Sequence, residues 1–221
     1  MNILKSLLFS ILSISLLKST SSYILYEQYN YMGICPGEPP VNPQCEMGEN
    51  YFGAILYQES QCVTYNLTSV IFTTKQDTIF ETIYDDSSCK GNIFNIVEHT
   101  SGSCESSCVL GYGNTFKLSI LENYEVPSDT YLSVTYSGEC NGDFDKDFLQ
   151  IDYQYVDKCT NIGFGIYSNS QSVSCNKTTT TVSTFSKPGC TGGIYHESHY
   201  ENQDNCKFDG GSLNYIDICN I

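Results

Sequence analysis

Between residues 148 and 155 apolar Phe148, Ile151, Tyr153 and Tyr155 are interleaved with polar Gln150, Asp152 and Gln154. A period of two places the two sets on opposite faces of an extended chain. Comparable runs predict strands over 23–29, 52–58, 64–73, 78–84, 92–98, 116–121, 131–136, 148–155, 163–167, 178–185, 192–200 and 212–218. Clusters of Asn, Gly, Ser and Asp separate them as turns. Helical periodicity is hard to find. Eighteen tyrosines and eleven phenylalanines add to Ile, Val and Thr as strand formers. The pattern predicts an all-β protein built from sandwich-like or barrel-like units.

The first 22 residues stand apart. Lys5 gives a positive start, 7–17 form an apolar run, and small residues follow from Ser19 to Ser22. This is the layout of a signal peptide cut near Ser22. A membrane anchor needs about 20 apolar residues, and this run is closed early by Lys18. No second apolar segment occurs, and neither a lipid-anchor tail nor a retention signal is evident. The expectation is a secreted, extracellular protein with no membrane span.

Twelve cysteines follow the leader: Cys35, Cys45, Cys62, Cys89, Cys104, Cys108, Cys140, Cys159, Cys175, Cys190, Cys206 and Cys219. An even set in an exported chain reads as a disulfide framework. Zinc modules need close CxxC pairs, which are absent. The sequons at Asn66 and Asn176 are expected N-glycosylation sites. The ten basic residues are all lysine and oppose 25 acidic ones, giving a net charge of −15 that deepens once Lys5 and Lys18 leave. Such a surface repels phosphate backbones and anionic lipid, which argues against nucleic-acid binding.

The cysteines divide six and six, and short patterns recur around them. Tyr-rich starts precede Cys35 and Cys140. Phe52-Gly-Ala-Ile-Leu-Tyr leads to Cys62 as Phe164-Gly-Ile-Tyr leads to Cys175. Cys89-Lys-Gly-Asn-Ile-Phe matches Cys190-Thr-Gly-Gly-Ile-Tyr. These matches predict two tandem related halves, 23–125 and 126–221. Aligning Cys62 with Cys175 also sets the two sequons at like positions and leaves extra length around 73–86, expected as a longer hairpin. Three bridges per half would leave 15 connectivities open.

Catalytic chemistry is sparse. His196-Glu197-Ser198-His199 has an i, i+3 spacing on an expected strand, not the helical i, i+4 of a zinc protease, so solvated strand residues are the expectation. Asp143, Asp145 and Asp147 could offer oxygens to calcium, but Phe148 and Gln154 stand where an EF-hand needs Gly and Glu. They read as a solvated acidic turn. No GxSxG or phosphate loop occurs, and carboxylate pairs for glycoside hydrolysis are too numerous to single one out. No catalytic residue, metal site or cofactor is expected.

The leader, the Tyr26-Glu-Gln-Tyr29 sequence, the spaced cysteines and the Cys89-Lys-Gly and Cys190-Thr-Gly steps together resemble the counting-factor-associated A/B/C family of small secreted proteins from social amoebae. The Asn-, Ile-, Tyr- and Lys-rich composition without arginine is similar to proteins of very AT-rich genomes. The resemblance implies a secreted non-enzymatic factor, part of or partner for a complex that regulates the size of cell groups. Its partners would be other secreted proteins or a cell-surface receptor. An extracellular carbohydrate-binding, coat or adhesion module is the alternative, with glycans as ligands. A secreted hydrolase is a distant third.

Overall fold

The structure, a computed structural model, describes residues 22–34, 45–46, 48, 51–65, 67–109, 112–138, 140, 148–162, 169–202, 206–208 and 213–221, with backbone alone at 30–34, 108–109 and 112–114. The described residues contain strands and no helix. In chain order they are β1 (Tyr23–Ile34), β2 (Tyr51–Gln58), β3 (Cys62–Tyr65), β4 (Thr68–Lys75), β5 (Thr78–Tyr84), β6 (Ile93–Thr100), β7 (Cys104–Val109) and β8 (Tyr112–Leu121), then β9 (Thr130–Tyr136), β10 (Phe148–Tyr155), β11 (Cys159–Ile162), β12 (Asn169–Cys175), β13 (Thr179–Lys187), β14 (Thr191–Glu201), β15 (Lys207–Phe208) and β16 (Asn214–Asn220).

An eight-stranded sheet runs β15-β16-β9-β10-β2-β1-β8-β7, and two meanders run β3-β4-β5-β6 and β11-β12-β13-β14. All pairings are antiparallel. The chain lays down two strands of the large sheet, leaves to build a meander, then returns for two more. It does this twice. The orders β7-β8-β1-β2 and β15-β16-β9-β10 are the same, and β2 meets β10 at the centre. The expected all-β, disulfide-rich class is therefore observed, with strands from both segments in one sheet.

Alternation along β2 explains the packing. Leu56 and Ala54 belong to a core cluster with Leu132, Val134, Ile151, Tyr153 and Ile216 that spans both segments. Tyr57, one residue on, points the other way into a cluster with Ile24, Leu118, Val63, Val70, Phe72 and Ile79, which seats the first meander on the large sheet. The second meander buries mostly small polar side chains: Asn161, Ser170, Thr180 and Thr184, with Val173. Gly53 sits where β2 touches β10. A Cβ there would lie 2.5 Å from the Tyr153 carbonyl oxygen, and its φ of +154 disfavours other residues.

Five cysteine pairs stand at disulfide distance: Cys45–Cys104, Cys62–Cys89, Cys140–Cys206, Cys159–Cys190 and Cys175–Cys219. Cys35 and the Cys108 side chain lie outside the described residues. The pairing corrects the sequence alignment of Cys62 with Cys175. Cys62 opens β3 and reaches Cys89 across 27 residues, while Cys159 opens β11 and reaches Cys190 across 31. Cys175 instead ends β12 and bonds to Cys219 on β16. The β4–β5 hairpin is consequently matched by β12–β13 and is not an enlarged one. The strand matching β2 in connectivity is β10; 164–167 lie outside the described residues.

The Cys-x-Gly turns do correspond. Cys89 and Cys190 both take left-handed φ values, 55 and 52. The N–H of Cys89 donates to Ser69 Oγ at 2.8 Å, and that of Cys190 to Ser170 Oγ at 2.7 Å. Both serines are fully buried. A Cβ at Gly91 in the first turn would crowd Asp85 Oδ1, so that side chain would have to shift to admit one. At the entry to each meander, Ser60 N–H bonds Phe72 O and Asp157 N–H bonds Val173 O, again with left-handed φ.

With so little apolar burial in the second meander, its bridges carry more of the stability. Replacing Cys159 and Cys190 together by serine should cost about 2–4 kcal/mol and lower Tm by roughly 5–15 °C in a thermal melt. The paired change at Cys62 and Cys89, behind a larger core, should retain more of its meander's protection in native-state hydrogen exchange.

Candidate functional site

A concavity lies beside the central seam. It is an open cleft of 410 Å³ between β2, the end of β10, and β11–β12, walled by Tyr51, Phe52, Tyr155, Lys158, Gln154 and Gln171. Its walls are fixed in several ways. Thr160 Oγ1 donates to the Tyr51 carbonyl at 3.2 Å, tying β11 to β2. Tyr51 and Tyr155 have ring centroids 5.9 Å apart, and Tyr51 Oη donates to Tyr153 Oη at 3.3 Å. Lys158 Nζ stands 4.0 Å above the Tyr155 ring, a cation–π contact. The left-handed turn at Asp157 and the Cys159–Cys190 bridge hold the β10–β11 wall.

Behind the cleft the tyrosines are held in the neutral state. Burial, reinforced by neighbouring Tyr153 and the Glu27 carboxylate, pushes Tyr51 and Tyr124 well above the usual phenol range. Glu27 is buried and paired with Lys117, Oε2 to Nζ at 2.6 Å, its direct cross-strand neighbour. No group here is arranged as an activated nucleophile. The cleft offers flat apolar rings, amides and one ammonium group.

Two other polar features lie at the seam and at the β7 edge of the large sheet. Asp152 on β10 lies beside Ile55 of β2, and burial raises its carboxyl to about 6 despite the hydrogen bond donated by Gln150. His99 on β6 is 5% exposed. Its Nδ1 is 2.8 Å from Glu105 on β7 and its Nε2 is 3.1 Å from Glu81 on β5, clamping the first meander to the large sheet. Burial alone would lower its pKa, but the two glutamates prevail and raise it.

A different kind of surface lies on the meander edges. Nine large apolar side chains are exposed among the described residues, and six of them sit on β6 and β14: Ile93, Phe94, Ile96, Ile194, Tyr195 and Tyr200. Both strands are sheet edges, and each follows its Cys-x-Gly turn with Ile and an aromatic ring. Both are bulged at their start, which discourages uncontrolled edge pairing.

The remaining sequence candidates are dispersed. His196 and His199 lie on exposed β14. His196 Nε2 is 3.0 Å from Ser198 Oγ, and His199 Nδ1 is 3.0 Å from Thr181 Oγ1. Among the described residues no group of three metal-ligating side chains converges. Asp143, Asp145 and Asp147 lie outside the described residues, as does Asn66. Asn176 is exposed in the β12–β13 turn, its Oδ1 accepting from Thr178 N and Oγ1. Asn66 falls in the β3–β4 stretch instead, so the sequons do not occupy matching turns. No described helix is long and apolar enough to cross a membrane.

The cleft is hidden in the sequence because Phe52 and Tyr155 read as ordinary strand aromatics. The available signal was Lys158, a lone cation between an aromatic strand end and Cys159 in an acidic chain. The His99 clamp had no sequence signal, since its members come from three strands.

A disulfide-bridged all-β protein with an aromatic cleft and two apolar edges is the class the fold defines. The family model described as counting factor-associated protein A/B/C matches residues 1–220, and the chain belongs to that family. Counting factor-associated protein A of Dictyostelium discoideum is 29% identical over 235 residues, covering 100% of both chains. No solved structure matches the chain.

The titrations of half-buried Asp152 and buried His99 both weaken the fold as pH rises. Native Asp152 keeps its proton to about pH 6, whereas an unfolded Asp loses it near pH 3.9. Its contribution is thus lost between those values, and Asp152→Asn should stabilise the protein by about 1–3 kcal/mol at pH 7 and by little at pH 4. His99 stabilises fully below its unfolded pKa and loses that contribution as pH passes its raised native value. His99→Gln should remove this alkaline slope in urea melts while leaving the acid-side slope of Asp152.

Proposed function

We propose that the chain is a secreted, non-enzymatic extracellular factor, acting as a component of, or partner for, a secreted complex that regulates cell-group behaviour. The observation that carries this reading is the concentration of exposed apolar side chains on β6 and β14. Exposed Phe94 and Tyr195 recur after equivalent turns, and such recurrence on two edges suits docking of other proteins. The family match over nearly the whole chain supports it, because the relative is named as associated with counting factor. The acidic charge, −15 overall, favours partners with basic surfaces.

On this reading 1–22 is the leader that directs export, Asn66 and Asn176 carry glycans, and 23–125 and 126–221 are duplicated units fused through the central sheet. The repeated strand order and the paired Cys-x-Gly turns support the duplication. A second reading, a carbohydrate-binding or adhesion module, draws on the aromatic cleft.

Size-exclusion of conditioned medium, followed by mass spectrometry, tests the main reading. The protein should elute with other polypeptides, well above the roughly 25–30 kDa of a monomer carrying one or two glycans. Phe94→Lys with Tyr195→Lys should shift it to the monomer position while changing fold stability by no more than about 0.5 kcal/mol. Elution of the wild type as a lone monomer would sink the stable-complex reading.

A further inference from the structure

We propose that the cleft beside the central seam binds a neutral saccharide unit, a proposal that rests on the second, carbohydrate-binding reading. A sugar ring has one or two apolar faces of C–H groups rimmed by hydroxyls. Its site needs a flat ring to cover the face and planar amides or hydroxyls at the rim. Phe52 of β2 and Tyr155 of β10 supply half-buried rings, and Gln154 and Gln171 supply amides that both donate and accept. Lys158 adds a donor, its ammonium group lying over the Tyr155 ring.

The volume of 410 Å³ falls within the size of small-ligand sites, about 300–1,000 Å³. The lining also limits the alternatives. Among the described residues it holds no carboxylate, which favours a neutral over a cationic ligand. Its single lysine lies in a chain with a net charge of −15, which argues against a polyanion. Its amides would be left unpaired under a purely apolar guest.

The site is also preorganised. The Thr160–Tyr51 hydrogen bond and the Cys159–Cys190 bridge set the distance between the walls before any ligand arrives. Tyr51 and Phe52 come from the first segment and the other wall residues from the second, so a ligand would bridge the two.

Binding of the glycosidase-treated full chain to an array of neutral and acidic oligosaccharides tests the assignment, followed by titration of the best neutral hexose or N-acetylhexosamine oligomer. Tyrosine emission gives the readout, since the chain has no tryptophan. Neutral saccharides should bind, and Phe52→Ala and Gln171→Ala should each weaken them at least tenfold with unchanged thermal melts. Phe94→Ala on the distant β6 edge should have no effect. Neutral-saccharide binding that survives both cleft variants would overturn the cleft assignment while leaving the carbohydrate reading in place. Binding confined to acidic saccharides would overturn the neutral class, and no saccharide binding would overturn both the cleft assignment and the carbohydrate reading.

Discussion

Four ladder pairs between β2 and β10 hold the molecule together: Tyr57 with Gln150, Leu56 with Ile151, Ile55 with Asp152 and Ala54 with Tyr153. Alternation sends Leu56, Ile151, Ala54 and Tyr153 into the shared core, so joining the strands and joining the two segments' apolar faces are one event. The opposite face of the same ladder carries buried Tyr57 and half-buried Asp152. The price of this close approach is visible at Gly53, where no side chain fits. The cleft exists because β11 is tied back across the seam to the start of β2.

The two meanders answer the same structural need by different means. The first packs Val63, Val70, Phe72 and Ile79 against the large sheet and adds the His99 clamp. Its hydrophobic area carries it, at roughly 25 cal/mol per Å² of apolar surface. The second has Val173 among small hydroxyls and amides, and is tied by two bridges, one of them to β16. Hydrogen bonds among its polar residues specify register, as at Thr180 Oγ1 with Asn202 Oδ1 at 2.6 Å, but add less than equivalent apolar burial.

Strands whose own residues alternate were legible. The spans 78–84 and 148–155 are those of β5 and β10, and the all-β class followed from such runs. The predicted run at 64–73 is two strands, β3 and β4, split by a turn that the apolar pattern crosses without a break. β7, β11, β12 and the short β15 were not foreseen. Their sequences, such as Asn169-Ser-Gln-Ser-Val-Ser-Cys175, lack apolar alternation because bridges and buried hydroxyls do the work of packing. The local Cys-x-Gly turns were readable, since their conformation is written within a few residues. The seam was not, because nothing near Leu56 names Ile151 as its neighbour. The family was recognised for the same reason as the turns: it rests on short patterns and spacings.

The interior position of β1 has a consequence for the order of assembly. It is hydrogen-bonded to β2 and also to β8, so Ile24 finds Ile120 only after the first meander has been passed. β9 waits likewise for β16, where Val134 meets Ile216. The meanders are sequentially local and can form hairpin by hairpin. The large sheet consists of contacts of long sequence separation, whose closure entropy must be overcome before any stabilisation is returned. Folding should therefore be slow in the layer that contains the seam and fast in the layers beside it, so that hairpins bearing correctly joined Cys62–Cys89 and Cys159–Cys190 precede the sheet on which they finally rest.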